Sequence, residues 1–351
     1  METKQVDFIV VGQGIAGTLL TYFLQKNNQT VLVIDEEKEY TSSKVAAGIY
    51  NPIVFKRLVK SWRADELIPF LENFYTEFEK DLGVKFLNKK SIVKFFASHE
   101  EREFWQKKTK EQTGINYFGE SNLAEYNPFI KNKEFGYALL NHTGNVDLPL
   151  LLNAFKDRLK QNNSFVAEKI NYDDIVVETD SVKWKHYTAK KIIFCEGHNG
   201  INNPYTPFCK LKPVKGDVLI LESNELNTVD IINKGVFVLP IGNGIFKTGS
   251  TYNWNYENDL PEEKGKEEVL AKLNQLISVN YSVLKHESGI RPSSFDRRPI
   301  LGTHPQHNAV AVFNGLGTKG IMIGPFFAKQ LAEHLLFEKK IDDEVNAKRF
   351  F

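Results

Sequence analysis

The stretch from residue 6 to residue 36 limits what this 351-residue chain can fold into more than any other. An apolar run at 8–11 leads directly into three glycines: Gly12, Gly14 and Gly17. A helical pattern of apolar residues follows, and a second apolar run at 31–34 ends at Asp35. The order strand, glycine turn, helix, strand and acid is that of a nucleotide-binding βαβ unit. We therefore expect a Rossmann-type α/β domain here.

Each part of this unit has a physical role in binding a dinucleotide. Gly12 permits the tight turn, Gly14 lets a pyrophosphate approach the backbone, and Gly17 lets the helix lie close to the strand. The helix N-terminus offers N–H groups and the positive end of a dipole to the phosphates, and the acid can hydrogen-bond a ribose hydroxyl. The predicted contacts are these glycines together with Ile15, Ala16, Asp35 and Glu36. The motif leaves open whether the dinucleotide is FAD or NAD(P).

Composition and charge exclude several classes of protein. Lys and Arg number 45 against 44 for Asp and Glu, so the net charge of +1 gives no global field for nucleic acid or an anionic membrane. The two cysteines, Cys195 and Cys209, are too few for a disulfide scaffold and lack metal-ligand spacing, which favours a cytoplasmic setting. The N-terminal apolar run is too short to cross a membrane. We therefore expect no DNA partner, no membrane span and no metal site.

Helical patterns recur through the middle of the chain. Apolar and aromatic residues at helical spacing predict a core-facing helix that is capped by Asp65 and stopped by Gly83. Asp147 opens another helix, and Pro261 begins one that reaches about Ile277. The charged segment 99–112 predicts a helix with a solvated face.

Strand patterns fill the rest of the middle region. Closely spaced β-rich segments at 164–188 predict a meander, and the continuously apolar run at 190–196 predicts a buried parallel strand. Three further strand patterns within 213–254 are antiparallel in character. No obvious linker separates these parts, which predicts domains that interleave in sequence.

The C-terminal segment contains a second glycine turn. A strand pattern at 309–314 precedes Gly315, Gly317 and Gly320, and an apolar helix follows. This is again a strand, a flexible turn and a helix N-terminus aimed at a ligand. Two such termini at opposite ends of one chain predict a long ligand held from two sides, which favours FAD over NAD(P).

Taken in order, these segments resemble the FAD-dependent D-amino-acid oxidase family, in its glycine oxidase and sarcosine oxidase branch. The matching segments run from residue 6 to about residue 336 and read VVGQGIAGTLLTYFL, VLVIDE, SSKVAAG, PVKGDVL, GIRPSSFDRRPILG and NGLGTKGIMIGP. The fifth resembles the family signature G-x-R-P-x-x-x-D-x-x-P-x-x-G, which is more specific than the N-terminal glycine motif.

The resemblance implies an α/β and α+β fold. A glutathione-reductase-type Rossmann domain for FAD is interleaved with a largely antiparallel substrate domain. We place the FAD domain at 1–50, 145–212 and 286–351, and the substrate domain at 51–144 and 213–285. Some relatives attach flavin through a cysteine, but neither cysteine lies in the C-terminal flavin turn, so we expect noncovalent FAD.

The resemblance also implies a reaction, namely oxidation of a carbon–nitrogen bond in a small amine that bears a carboxylate. Arg291 of the G-x-R-P segment matches the arginine that holds the substrate carboxylate, while hydride passes from the α-carbon to flavin N5. Tyr50 and Tyr252 are candidates to line the substrate pocket. The further predicted FAD contacts are Ser42, Ser43, Ala47, Gly48, Ile170, Gly197, Gly315, Gly317, Thr318, Lys319, Gly320 and Ile321. Oxygen or another acceptor then reoxidises the flavin.

Alternatives remain open at this stage. Arg291 also fits a structural salt bridge, and Lys319 a solvent-facing loop lysine. Some relatives oxidise 2-hydroxy acids, and one branch removes a carboxymethyl group from a modified tRNA uridine. The segment AAGIYNP resembles the GALYP-like segment of that branch, so a tRNA substrate is a further alternative. A non-catalytic flavin-binding protein is the remaining alternative.

Overall fold

The computed structural model describes residues 3–122, 128–131 and 133–351. In this part of the chain the strands β1 to β21 are, in order, Lys4–Val11, Val31–Asp35, Ile49–Tyr50, Ile53–Val54, Val59–Lys60, Leu87–Lys89, Ile92–Phe95, Phe118–Asn122, Tyr137–Leu140, Gly144–Val146, Phe165–Ala167, Ile175–Val177, Val182–Trp184, Tyr187–Phe194, Val214–Glu222, Ile231–Lys234, Val236–Gly242, Ile245–Gly249, Ser282–Arg291, Ile300–Thr303 and Val310–Asn314. The helices α1 to α7 are Ile15–Lys26, Ser42–Val45, Ala64–Leu82, His99–Glu111, Leu148–Gln161, Glu263–Leu276 and Gly320–Phe337.

The first large sheet carries the N-terminal motif. Its strand order is β11-β2-β1-β14-β13-β12, and β14 also pairs with β21, which pairs with β20. The pairs β11–β2, β2–β1, β1–β14 and β14–β21 are parallel, whereas β12, β13 and β14 form an antiparallel meander. Val10, Val33 and Ile193 are fully buried, because the central strands are covered on both faces. The predicted Rossmann-type domain is confirmed.

The second large sheet is mostly antiparallel. Its order is β19-β15-β18-β17-β16-β7-β9-β8, and among these pairs only β16 with β7 is parallel. Helix α6 buries Val269, Leu273 and Leu276 in a core with this sheet. This is the predicted mixed α/β and α+β architecture. Strand β19 runs through residue 286, where we placed a domain boundary, so the domain limits stay a proposal.

Two small sheets lie beside these large ones. Strands β3, β10 and β6 form one, with Gly144 of β10 opposite Tyr50 of β3. Strands β4 and β5 form a hairpin between β3 and α3. In the described part of the chain no helix is long and apolar enough to cross a membrane.

The helix predicted after residue 65 packs as expected but begins differently. Its aromatic stripe is in the core, with Phe78 fully buried. The N-cap position is occupied by Arg63 in the left-handed conformation, while Asp65 lies in the first turn. The prediction of Asp65 as N-cap is therefore wrong. An acid in the first turn still stabilises the helix, because it lies near the positive end of the helix dipole. Gly83 ends the helix with a φ of 69°, as predicted.

Helices α1 and α7, from opposite ends of the chain, pack side by side. Gly324 of α7 lies so close to α1 that a Cβ there would be 2.7 Å from Leu19 Cδ1. Near the helix starts, a Cβ on Gly320 would be 3.5 Å from Ile15 Cγ2. The two helix N-termini therefore lie next to each other, which brings the two glycine turns of the sequence together.

Candidate active site

The first glycine turn has the geometry that its sequence predicts. Gly12 has a φ of 100°, and a Cβ there would lie 2.6 Å from the Cys195 carbonyl oxygen. A Cβ on Gly17 would lie 1.8 Å from the Gly12 carbonyl oxygen, so only glycine lets α1 start this close to β1. Gly14 is the N-cap of α1, and a Cβ there would lie 3.2 Å from Ser43 Oγ. The result is a bare backbone surface at a helix N-terminus, which suits a phosphate.

Polar side chains surround this helix start. The Ile15 N–H donates to Ser43 Oγ at 3.0 Å. The two oxygens of Asp35 accept from the Gln13 and Glu37 N–H groups at 2.7 and 2.8 Å. Each carboxylate oxygen can accept a second hydrogen bond, so Asp35 is held in place yet retains capacity for a ribose hydroxyl.

The second glycine turn approaches the first from the other side. Gly315 and Gly317 both have positive φ, 74° and 56°, and α7 begins at Gly320. The Gly317 N–H donates to the Pro292 carbonyl at 3.1 Å, so the turn lies directly beside the end of β19. This contact places the turn next to the strand that carries Arg291.

The other predicted cofactor contacts remain predictions, and the structure gives the local surroundings of each. Ser42 begins α2, which packs on β19, since a Cβ on Gly289 would be 3.1 Å from Ser42 Cα. Gly197 has a φ of 58°, and its carbonyl accepts from Asn314 Nδ2 at 2.9 Å. The remaining ones are half-buried Ala16 and Ala47, half-buried Ile170 beside the meander, Gly48 with a φ of 67°, Glu36 paired with Lys38, exposed Thr318 and buried Ile321.

Lys319 is not a solvent-facing loop lysine. Its ammonium group donates to Ser61 Oγ and, at 3.3 Å, to the Asn51 carbonyl, both flanking the β4–β5 hairpin. No carboxylate of the described residues lies in ion-pair contact with it, and burial lowers its pKa to about 8. A desolvated cation without an acid partner is available to an anionic ligand.

Lys319 gives the folded protein a specific pH dependence. Because its pKa is about 8 in the folded protein and 10.5 for a solvated lysine, the folded form binds fewer protons between these values, and stability rises with pH through that window. We expect Lys319→Met to raise the free energy of unfolding by up to about 3 kcal/mol at pH 7.5, because it removes the cost of burying a charged lysine. At pH 10.5 the free energy of unfolding should change little. Urea unfolding of the apoprotein at both pH values measures this. An equal effect at both would contradict it.

Arg291 ends strand β19, where it pairs with Val214. Its Nη1 donates to the carbonyls of Thr251 at 3.2 Å and Lys215 at 3.4 Å, and its Nη2 donates to Ser250 Oγ at 2.7 Å. Among the described residues, no carboxylate lies in ion-pair contact with it. A structural salt bridge is therefore not what holds this guanidinium. Burial lowers its pKa, as expected for a cation surrounded by neutral acceptors.

The hydrogen bonds of Arg291 leave one edge of the guanidinium available. A guanidinium has five N–H donors, of which three are used by these acceptors. The Nε–H and one Nη2–H have no acceptor among the described residues, and they form an edge that matches a carboxylate. Gly216 lies against the same group, since a Cβ there would be 2.0 Å from Nη2.

The two predicted tyrosines have different positions. Tyr252 lies beside Arg291, with its ring centroid 4.6 Å from the guanidinium carbon, and is 60% exposed. Tyr50 is 1% exposed and belongs to the same buried core as Leu67 and Leu71 of α3. Its hydroxyl has no hydrogen-bond partner among the described residues, and burial raises its pKa. A pocket-lining Tyr50 is therefore not supported, because strand alternation turns its side chain into the core.

Several residues of this region were missed by sequence reasoning. Ser250 and Thr251, which hold Arg291, follow β18 and carry no motif. Lys247 of β18 is 7% exposed, and its ammonium donates to the Ala46 carbonyl at 3.3 Å, within the small-residue segment. It lies 3.8 Å from Glu287, and burial lowers its pKa. The sequence signal that could have revealed Lys247 is a lysine within an otherwise apolar strand pattern.

The described residues contain no group of three or more His, Cys, Asp or Glu side chains that could hold a metal ion. Cys195 and Cys209 are both buried and free, and burial raises the pKa of each thiol. These thiols are therefore poor nucleophiles.

Comparison with known proteins agrees with this geometry. The family model described as FAD dependent oxidoreductase matches residues 7–334, nearly the whole chain. The chain belongs to this family. It is therefore an FAD-dependent enzyme, and the predicted D-amino-acid oxidase family and FAD cofactor are confirmed.

Individual relatives of this FAD-dependent oxidoreductase are distant. It is 25% identical to the uncharacterized oxidoreductase YurR of Bacillus subtilis, over 94% of each chain. It is 28% identical over 163 residues to the tRNA 5-methylaminomethyl-2-thiouridine biosynthesis bifunctional protein MnmC of Marinobacter nauticus, covering 42% of this chain and 26% of that one. The crystal structure of glycine oxidase from Bacillus cereus has the same fold, with a TM-score of 0.77, 19% identity and coverage of 95% and 96%.

The region in front of the adjacent starts of α1 and α7, which we call the crevice, has residues that fit FAD. Any side chain at Gly17 would clash, the starts of α1 and α7 face one region, and Asp35 stands at the end of β2. Two helix N-termini provide N–H donors for a pyrophosphate and for a second polar group further along the ligand.

Proposed function

We propose that this enzyme oxidises a carbon–nitrogen bond in an amine that carries a carboxylate. The observation that carries the proposal is Arg291. Its half-buried guanidinium is held by neutral oxygens and keeps N–H donors that are not used, and the next residue, Pro292, contacts the second glycine turn. Such an edge pairs with a carboxylate through two parallel charge-assisted hydrogen bonds. The name of the structural relative, glycine oxidase, supports an amino acid as the substrate class.

The residues of the chain bind and orient the substrate in this proposal. Arg291 fixes the carboxylate, so that the α-carbon is held at a defined place relative to the starts of α1 and α7. Tyr252 covers one face of the guanidinium and limits its contact with water. When bound, FAD supplies the two-electron acceptor, N5, for the hydride that leaves the α-carbon. The resulting imine hydrolyses in water.

We propose that FAD is held without a covalent bond. Gly12, Gly14 and Ser43 bound the space for the pyrophosphate, and Lys319 supplies a half-buried cation within the second turn. Cys195 and Cys209 are buried side chains with raised thiol pKa values. Release of flavin by mild denaturation, with absorbance recovered in the filtrate, tests this assignment.

The function is tested by anaerobic reduction of the flavin. The holoenzyme is mixed with panels of glycine derivatives, other amino acids, the matching 2-hydroxy acids and amines without a carboxylate. We expect bleaching of the flavin by carboxylate-bearing amines only. Bleaching by the hydroxy acids instead would favour the 2-hydroxy-acid dehydrogenase alternative, and bleaching by simple amines would remove the role of Arg291.

A second candidate places the same amine chemistry on tRNA. Three aromatic side chains on the segments that carry Tyr252 and Arg291 are exposed: Tyr252, which lies beside Arg291, Trp254 and Phe295, at 60%, 51% and 73%. Lys212 lies 5.2 Å from the Trp254 ring, and its N–H donates to the Ser293 carbonyl. Exposed aromatic rings that alternate with cations are the features that stack bases and contact phosphates.

The match to a tRNA biosynthesis protein supports this second candidate. If the substrate is a modified tRNA, Trp254→Ala and Lys212→Ala should lower the rate with tRNA about tenfold, because each removes a stacking or phosphate contact. The same variants should leave oxidation of free amines unchanged. Flavin reduction by bulk tRNA, compared with free glycine derivatives, distinguishes the two substrates, and tRNA that fails to bleach the flavin excludes the second.

A further inference from the structure

Asp217 of β15 is a buried carboxylate on the opposite face of the sheet from Arg291. It is 2% exposed, and its carboxylate contacts three groups. Thr251 Oγ1 donates to its Oδ2 at 2.8 Å, His286 Nε2 lies 3.0 Å from its Oδ1, and the Glu262 N–H donates to Oδ1 at 3.4 Å. The backbone N–H of Asp217 donates back to Thr251 Oγ1 at 2.9 Å. Asp217 and Thr251 are therefore joined by two reciprocal hydrogen bonds.

Thr251 connects this carboxylate to the guanidinium. Its side chain is bonded to Asp217, and its carbonyl accepts from Arg291 Nη1 at 3.2 Å. Ser250, the residue before it, accepts from Nη2 at 2.7 Å. The short segment 250–251 therefore carries two of the three acceptors that orient Arg291, and Asp217 fixes that segment from behind.

The chain makes room for Asp217 in a specific way. Gly265 of α6 faces the carboxylate, and a Cβ there would lie 2.3 Å from Asp217 Oδ2. Lys215, two residues earlier on the same face, is fully buried and paired with Glu262. At its Lys215 and Asp217 end, the face of β15 under α6 is thus a hydrogen-bonded network, and the apolar core with α6 begins at Leu219.

We infer that Asp217 and Thr251 are positioning residues that hold Arg291 in the orientation that receives the substrate carboxylate. This inference rests on the proposed function. Asp217 touches neither the guanidinium nor the crevice, so its effect passes through the Thr251 backbone. A direct Asp217–Arg291 pair would occupy the edge that the substrate needs. Because Asp217 acts through Thr251, it fixes the acceptors of the Arg291 guanidinium and leaves that edge free for the substrate.

The test measures carboxylate binding separately from turnover. The probes are acetate and benzoate, titrated into the holoenzyme, with the Kd read from the change in flavin absorbance. Thr251→Val removes the hydroxyl at nearly constant volume, and Thr251→Ser keeps it. Thr248→Val is the matched control. Thr248 is buried like Thr251, but it lies within β18 and its hydroxyl donates to the Phe237 carbonyl. Gly265→Ala displaces the Asp217 carboxylate by a methyl group on α6, and no residue of the sheet is substituted.

We expect Thr251→Val and Gly265→Ala each to raise the Kd of both probes about tenfold, with KM for the amine substrate rising more than kcat falls. Thr251→Ser and Thr248→Val should stay within about twofold of the parent. Unchanged probe binding in Thr251→Val and Gly265→Ala would overturn the inference, as would an equal loss in Thr248→Val. If Arg291→Leu binds the probes normally, the proposed function itself fails. If only Arg291→Leu loses them, the positioning role alone fails.

Discussion

Arg291→Leu is expected to lower kcat/KM for the amine substrate by about 10²- to 10⁴-fold, because two charge-assisted hydrogen bonds of about 1.5–3 kcal/mol each are lost. Most of the loss should appear in KM if the guanidinium binds substrate and transition state equally. The fold should survive, since the lost partners are two backbone carbonyls and Ser250 at the edge of the crevice. Steady-state kinetics over a wide range of substrate concentrations measure the effect.

The matched control is Arg297→Leu. Arg297 is exposed and lies six residues further along the same segment. With a free amine as substrate, this variant should behave like the parent enzyme. Equal losses in both variants would show that general positive charge attracts the substrate, and a normal Arg291→Leu enzyme would contradict the assignment of the carboxylate site. Both variants should retain bound FAD, which the flavin absorbance confirms before kinetics are compared.

Alanine at Gly14 and at Gly17 should separate the cofactor role of the first turn from its folding role. At Gly17 the new Cβ would lie 1.8 Å from a backbone oxygen, so we expect a loss of about 3 kcal/mol in stability, together with loss of FAD. Gly14 has a φ of −71°, which alanine adopts without strain, and its nearest neighbour is the movable Ser43 side chain at 3.2 Å. The free energy of unfolding of the Gly14→Ala apoprotein should therefore fall by about 1 kcal/mol or less.

FAD binding to the Gly14→Ala protein is the decisive measurement. Its added methyl group occupies the side of the helix start that the pyrophosphate approaches, so affinity should fall about tenfold or more. Fluorescence titration of apoprotein with FAD gives the affinity, and urea unfolding of the apoprotein gives the stability. A Gly14→Ala protein with normal FAD affinity would mean that the phosphates lie elsewhere.

The Rossmann unit was predictable because its information is local. The two apolar runs, the glycines and Asp35 lie within 31 consecutive residues, and each has a stereochemical requirement that few other residues meet. The same holds for the cap at Asp147, whose side chain accepts from the Leu150 N–H at 3.1 Å. The second glycine turn was predictable for the same reason, and only its nearness to the first needed the structure.

The side-chain environments were less predictable. Tyr50 follows the small-residue segment, but which face of a two-residue strand points inward depends on the partner strand β10, 94 residues later at Gly144. Lys319 appeared in a polar turn, yet a hairpin 258 residues earlier covers its ammonium group. Register and burial of this kind depend on distant pairing, which no local pattern contains.

The residues that support Arg291 were missed for a related reason. Ser250 and Thr251 are common residue types after a strand, and Asp217 has the pattern of a polar residue in an alternating strand. Their roles depend on β15 pairing with both β18 and β19, which joins three segments spread over residues 214–291. Sequence spacing places residues on a face, but it does not show which faces meet.

The packing of α1 against α7 has a consequence for biosynthesis. A ribosome delivers the first glycine turn roughly 300 residues before the second, at about 5–20 residues per second, so tens of seconds pass between them. During that time the N-terminal unit has half of its ligand site and lacks the helix that covers Leu19. Both helix starts of the proposed FAD site are therefore present only after residues 315–337 have been made, so we expect a nascent chain that ends before residue 315 to bind FAD weakly.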